Sequence, residues 1–322
     1  MTLISVVMPV LNAAPFLAEA IGSILAQTHR SLELIVVDDG SSDDSRDIAA
    51  RAAAGDERVR TLSLPRLEGS TSSARAANEG VAIARGPYIA RMDADDIALP
   101  HRLELELAFL EAQGLDACGG HAQAFGSDER FYWYPATPAG VERELLFRVG
   151  ILHPTLLARA ELMREHPYLQ RASHEDYEWQ VRVVAAGARL GNVQEVVLNH
   201  RTHLDQAHVR HAGLFLRDLR QYRFRHLMRL FPGTRPADYQ LFADLAEKRT
   251  IVDREELARA AVWLARLADV PDEGLPGAMA YRWEQVCKRA GLEPDDPLWS
   301  AYGRALESMG DGEADALSRL RA

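Results

Sequence analysis

Three carboxylates within four residues, Asp93, Asp95 and Asp96, close the stretch Tyr88-Ile89-Ala90-Arg91-Met92-Asp93-Ala94-Asp95-Asp96. The stretch begins as a short apolar run of the kind that forms a buried strand. No folded core accepts so many unpaired charges, so the acids belong at the strand's exit. In an open α/β sheet the carboxyl ends of strands are where ligands bind, and an acidic cluster there can seat a hard divalent cation that grips phosphate oxygens. A second reading is purely local: Asp96 or a neighbour caps the helix announced by Pro100 and the spacing Leu103, Leu107, Leu110.

Two further groups of acids invite chemistry. Asp38-Asp39-Gly40-Ser41-Ser42-Asp43 follows an apolar run over 32–37. These are ordinary turn and cap residues, but the same carboxylates can accept a nucleobase N–H or ribose hydroxyls. Ser173-His174-Glu175-Asp176 precedes the helical spacing Trp179, Val183, Ala186, which puts both acids at a helix N-terminus where backbone N–H groups stabilise anions. Capping accounts for one acid, not two. A carboxylate of ordinary pKa near 4 is ionised at neutral pH and can deprotonate a hydroxyl.

The elements that must position these groups follow from periodicity. A β-rich run over 3–8 ends at Pro9 and Asn12, and Phe16, Ala20, Ile21, Ile24 and Leu25 recur at helical spacing. A strand over 32–37, a helix over 45–54, a strand over 59–64 and a helix over 71–84 lead to the Tyr88 strand. This alternation predicts a parallel sheet with right-handed crossovers. The exits Pro9 to Asn12, Asp38 to Asp43 and Asp93 to Asp96 would then meet at one sheet edge as a nucleotide site. No Gly-rich phosphate loop follows the first strand, so a metal has to hold the phosphates. Short β-like pieces over 115–134 carry Phe131-Tyr132-Trp133-Tyr134, a cluster that suits sugar stacking or a plain hairpin face. A short helix over 141–147 and a strand-like stretch from His153 follow. Beyond 208 helices dominate, over 208–230, 236–248, 254–268, 277–290 and 297–309.

The chain is 322 residues long, 47% hydrophobic and of net charge −10. It is long enough for a proper core, and its charge argues against nucleic acid as a partner. We expect a domain over 1–207 and a helical region over 208–322. Cys118 and Cys287 lie in apolar or helical surroundings and read as reduced thiols, and neither is a nucleophile candidate. The N-terminus has no basic leader, and no apolar run approaches the ~20 residues that cross a bilayer, so a cytoplasmic protein is expected. The 208–230 helix carries Arg210, Arg217, Arg220, Arg223, Arg225 and Arg229 against one acid, Asp218. Such a helix can lie on anionic lipid, giving peripheral contact at the inner membrane face, pack on the catalytic domain with its arginines in water, or serve a homodimer.

Three segments in order carry a family resemblance: Ser5-Val6-Val7-Met8-Pro9-Val10-Leu11-Asn12, residues 34–43, and Ala84-Arg85-Gly86-Pro87 continuing into Tyr88 to Asp96. Together they resemble the nucleotide-sugar half of glycosyltransferase family 2, an inverting family with the A-type glycosyltransferase fold, and the likeness runs to about residue 205. It implies an α/β, Rossmann-like, mostly parallel sheet and a nucleoside diphosphate sugar donor, with a UDP-sugar expected first. It also implies a saccharide or lipid-linked saccharide acceptor, Mg2+ or Mn2+ as cofactor, and an association with cell-surface polysaccharide or lipopolysaccharide assembly. Residue by residue, it puts Asp38 and Asp39 at the base and ribose; Pro9 and Asn12, at the first strand exit, are further candidates to bind the nucleotide sugar. Asp93 and Asp95 match the family's Asp-X-Asp motif, with Asp95 as the direct metal ligand. His153 in His153-Pro154-Thr155 resembles a loop contact near the reacting centre, Asp176 the general base, and Glu175 the residue that orients donor or acceptor. His203, after the final strand, resembles a metal and diphosphate ligand paired with Asp95, with His200 as its competitor. One departure stands out: Ala77, next to Asn78, occupies a position where the family usually has Arg, and Arg91 or Arg75 is expected to supply that charge. The same departure leaves room for a non-catalytic nucleotide-sugar scaffold. A nucleotidyltransferase is the rival enzyme, but it would want the missing phosphate loop.

Overall fold

The computed structural model describes residues 2–67, 73–170, 174–203 and 216–309. The expected helix start at Thr71, Ser173, and the 208–215 part of the basic helix with Arg210 lie outside them.

The first strand, β1 (Ile4–Val10), is buried at every residue, as its β-branched apolar run requires when both faces are covered. Helix α1 (Ala14–Leu25) buries Leu17, Ala20, Ile21 and Ile24, one stripe at helical spacing. Then come β2 (Leu32–Asp38), α2 (Ser45–Gly55), β3 (Val59–Ser63), α3 (Ala74–Ile83) and β4 (Tyr88–Arg91). These four strands run parallel in the order β3-β2-β1-β4, with Val10 opposite Asp38 and Val7 opposite Arg91. Helix α3 seats closely on β1 because position 80 is glycine: a Cβ there would stand 2.4 Å from Val7 Cγ1. The chain leaves β1 towards β2 on one side and comes back to β4 on the other, so strand order reverses between β1 and β4. Such a switch point opens a crevice at the carboxyl edge, and the acids after β4 hang into it.

The rest of the sheet is mixed. The chain continues through β5 (Ile97–Ala98), α4 (Arg102–Gln113), β6 (Ala117–Gly126), β7 (Phe131–Tyr132), α5 (Pro138–Glu144), a 3-10 turn (His153–Thr155), β8 (Leu157–Arg159), α6 (Ala160–Glu165), α7 (Glu175–Ala185) and β9 (Leu190–Thr202). The order is β3-β2-β1-β4-β8-β6-β9-β5, with β7 on β6. The long ladders are parallel, whereas β8 is antiparallel to both β4 and β6, and β5 to β9. Two expectations shift here. His153 opens a 3-10 turn, not a strand, and the short helix lies at Pro138–Glu144, started by Pro138 with Thr137 as its cap.

One charge pair in this unit sees no solvent. Arg102 and Glu106, one turn apart on α4, are both 0% exposed and 3.1 Å apart. Arg102 also donates to the Arg91 carbonyl at 2.8 Å, tying α4 beneath the end of β4. Burial pushes Glu106 up to about 7 despite Arg102. Losing one member of a buried pair strands the other, which costs about 3–5 kcal/mol. Arg102→Ala should therefore lower the urea midpoint by an equivalent amount. Arg102→Met with Glu106→Leu should cost less than Arg102→Ala, and both are read by tryptophan fluorescence.

The chain divides into two compact units, residues 1–134 with 149–219, and 135–148 with 220–322. The second is helical: most of α8 (Leu216–Leu230), then α9 (Pro236–Ala246), α10 (Arg254–Ala268), α11 (Leu275–Arg289) and α12 (Ala301–Glu307), together with α5. Helix α10 is buried along most of its length, with Trp263 edge-on to Phe231 and Phe242. Three arginines of α8 have partners within this unit: Arg220 pairs with Glu247, Arg229 with Glu142 at 3.2 Å, and Arg223 donates to the Phe147 carbonyl at 2.6 Å. No helix among the described residues is long and apolar enough to cross a membrane. Cys118 and Cys287 are buried and free, and burial raises both thiols.

Candidate active site

The β4 exit separates its three acids by environment. Asp93 pairs with Arg91 at 2.9 Å, Asp95 with His203 Nε2 at 3.1 Å, and Asp96, 0% exposed, accepts from His200 Nδ1 at 3.1 Å and from the Arg201 backbone N–H at 2.8 Å. Asp96 does not cap α4, which begins at Arg102 behind His101 with no side-chain cap; its carboxylate joins β9 instead. Asp93 and Asp95 remain 32% and 26% exposed. One oxygen of each acid lies within 4.8 Å of the others. Burial acts to raise Asp93, but the Arg91 guanidinium together with His153 and His200 outweighs it and holds the carboxyl low. Burial, then the charge of Asp93, raises Asp95; burial also takes Asp96 to about 6 against the pull of His200. Hard oxygen donors this close, two of them open to solvent, fit a divalent cation of the Mg2+ or Mn2+ type. Asp93 and Asp95 could hold it, with His203 beside them.

The second group of acids stands at the start of α7. Glu175 Oε1 accepts from the backbone N–H and the hydroxyl of Ser73, at 3.2 and 3.0 Å, and Arg91 donates to that same hydroxyl at 3.2 Å. A continuous chain therefore runs Glu175, Ser73, Arg91, Asp93, across the N-terminus of α7, the residue before α3 and the exit of β4. Asp176 accepts from the Tyr177 N–H at 2.7 Å. Burial, then the charges of Glu175 and Asp93, push Asp176 up to about 7, correcting the ordinary value near 4 expected from sequence. His153 Nε2 meets the Tyr168 hydroxyl at 2.9 Å, and burial with the nearby Arg91 takes the imidazole down to about 3, so it is neutral at physiological pH. Asn78 fixes Tyr168 from both sides, donating to its carbonyl at 2.8 Å and accepting from its N–H at 2.9 Å. Sequence reasoning passed over Ser73 and Tyr168. A serine ahead of a helix and a tyrosine in a loop carry no local mark of the partners they find some ninety to a hundred residues away.

The first two strand exits are laced together. Asn12 adopts a left-handed φ of 53°, and its side chain accepts from Ser42 N–H at 2.8 Å while its own N–H reaches Ser41 Oγ at 3.0 Å. Pro9 lies within β1, opposite Val37, buried. Asp38 pairs with Arg46 at 2.9 Å and accepts from Ser41 N–H at 3.0 Å, closing the turn at Gly40. That glycine has φ +82°, and a Cβ there would meet the Arg66 backbone at 2.6 Å. Asp39 pairs with Arg75 at 3.2 Å, and burial still raises its carboxyl. Both expected arginines thus have carboxylate partners, Arg75 at the β2 exit and Arg91 at the β4 exit. Ala77 is buried in α3.

An α/β sheet with an acidic cluster at its switch point is the architecture of the A-type glycosyltransferase fold, here followed by a helical region. Two solved structures share it over nearly the whole chain. S. aureus TarS in complex with UDP-GlcNAc superposes with a TM-score of 0.58 at 16% identity, covering 97% of this chain and 92% of that one. The mannosyltransferase PcManGT from Pyrobaculum calidifontis, in complex with GDP-Man and Mn2+, gives 0.53 at 17% identity over 99% and 81%. The family model for glycosyl transferase family 2 matches residues 5–168, and the chain belongs to that family. The match ends before Glu175, Asp176 and His203, short of residue 205. A curated relative, glycosyltransferase GlyG of Streptococcus pneumoniae, is 37% identical over 133 residues, 41% of this chain and 43% of GlyG, so the chain spans less than half of that relative.

Proposed function

We propose that the chain transfers a sugar from a nucleoside diphosphate sugar to a saccharide hydroxyl, free or lipid-linked, with inversion at the anomeric carbon. The observation that carries this reading is the chain of contacts from Glu175 through Ser73 and Arg91 to Asp93. It couples an acid pair suited to proton transfer to an acidic cluster suited to a cation and diphosphate. A divalent cation held by Asp93 and Asp95 would supply neutralising charge for the leaving diphosphate. Asp176 takes the acceptor's proton as its oxygen bonds to the anomeric carbon and the bond from that carbon to the diphosphate oxygen breaks, the electron pair leaving with the diphosphate. A base whose pKa lies near the working pH is well matched to that task. Glu175, oriented by Ser73, positions the sugar or acceptor. Arg91 adds positive charge where Ala77 supplies none, which weakens the case for an inactive scaffold. Asp38 and Asp39, with Asn12 nearby, face the base and ribose. The nucleotide-sugar complexes of the two structural neighbours support the donor class and leave the choice of base open.

Calorimetric titration with UDP, GDP and dTDP, with and without Mn2+, tests the reading. One nucleotide should bind in a cation-dependent manner. Absence of binding by all three in both conditions would overturn it.

A further inference from the structure

Resting on that reading, we propose that Arg201 is a positioning residue for the cation and diphosphate site: it fixes the main chain of the Asp95–Asp96 turn without facing the ligand. Arg201 lies at the end of β9, where β9 runs antiparallel to β5 just beyond Asp96. Its backbone N–H donates to Asp96 Oδ1 at 2.8 Å, and its side-chain Nε donates to the Asp95 carbonyl, also at 2.8 Å. The far side of the guanidinium reaches Glu19 Oε2 at 2.5 Å. Two rings sandwich the plane: its central carbon is 4.7 Å from the centre of Phe16 and 4.5 Å from that of Phe125. Phe125 is Arg201's register partner on β6, and Phe16 and Glu19 occupy one face of α1. Phe16 also lies 5.2 Å from the His203 ring.

These contacts converge on one atom of consequence, the Asp95 carbonyl. A carboxylate in a short turn between two strands, here β4 and β5, can swing as its backbone rocks. Pinning that carbonyl from β9 fixes the direction in which the Asp95 side chain leaves the backbone, while Phe16 sets His203 beside it. Preorganisation of this kind is what cation affinity depends on, and partners behind metal ligands commonly contribute tenfold or more to it. Lysine cannot replace the device. It carries the charge, but it has no planar fork to lie between two rings while donating in two directions.

The test is Mn2+ binding, followed by the electron paramagnetic resonance of free Mn2+ in the presence of UDP, GDP and dTDP in turn. Arg201→Lys and Arg201→Met are each expected to raise the Mn2+ Kd about tenfold or more, while nucleotide affinity without metal stays within about twofold. Glu19→Gln, which removes only the outer ion pair, should stay within about threefold. A loss equal to that of Arg201→Lys would assign the effect to surface charge and overturn the brace. If the Arg201 variants do not fold, Phe125→Leu, which opens one side of the sandwich, should weaken Mn2+ about threefold or more, and unchanged binding overturns the proposal. Wild-type protein that binds Mn2+ alongside an equally competent Arg201→Lys overturns the brace alone. Wild-type protein that binds Mn2+ with none of the three nucleotides overturns the brace and the glycosyltransferase reading together.

Discussion

Asp176→Asn is expected to lower sugar transfer by about 10³-fold, within the 10²–10⁴ range that a positioned general base supplies, while leaving nucleotide binding intact. Asparagine keeps the size and the hydrogen bond from Tyr177 but cannot accept the acceptor's proton. The pH dependence follows from the same residue. Burial and the charges of Glu175 and Asp93 raise its carboxyl from 3.8 to about 7, and the reactive form is the deprotonated one. Activity per unit free enzyme should therefore fall about tenfold per pH unit below about 7 and level off above it. Glu175→Gln removes one of the charges that raise Asp176, so its acidic limb should move to lower pH. Because the two acids and Asp93 interact, the limb belongs to the group and not to one site. Donor hydrolysis over a pH series measures both effects. Stability has the opposite sign. An acid raised on folding opposes the native state above its folded pKa and ceases to do so below its unfolded one, so Asp176→Asn should melt higher than wild type at pH 8. A variant that melts higher and still turns over within tenfold of wild type would remove Asp176 from the mechanism.

Legibility from sequence followed how local the cause was. The run of β1, the stripe of α1 and the acids at the ends of β2 and β4 are written in neighbouring residues, and each element lies within a few residues of where periodicity puts it. The order of strands beyond β4 is not local. Strand β8, late in the chain, slips between β4 and β6, and nothing in Leu157-Ala158-Arg159 announces it. The division of labour among the acids was equally hidden. Asp93, Asp95 and Asp96 are one chemical type, and only burial in the fold and the arrival of Arg91 beside Asp93 leave Asp93 low while Asp95 and Asp96 are raised. The raised Asp176 carboxyl has the same origin, since burial is a property of the fold. Arg201 carries no local mark of its role, which lies in contacts with Phe16, Phe125 and the Asp95 carbonyl, all remote in sequence.

Asp95→Ala is expected to abolish the cation-dependent part of nucleotide affinity, a loss of about 100-fold or more at saturating Mn2+, while the metal-free affinity is unchanged. Without Asp95, Asp93 is left as a single weakened ligand, and Asp96 cannot turn to join it. Asp93 is engaged by Arg91 at 2.9 Å, and Asp96 is wholly buried with His200 and the Arg201 N–H occupying its oxygens. Removing Asp95 also removes a negative charge that raises Asp96, so the buried pair with His200 should survive and the protein should fold. His203→Ala, which takes away the partner but leaves the carboxylate, should cost about tenfold. The ranking discriminates between sites. If the cation were seated by Asp93 and Asp96, Asp95→Ala would have the smaller effect and Asp96→Asn the larger. Calorimetry on the three variants, with Mn2+ present and absent, reads the ranking directly, and an Asp95→Ala protein within threefold of wild type would move the cation away from Asp95.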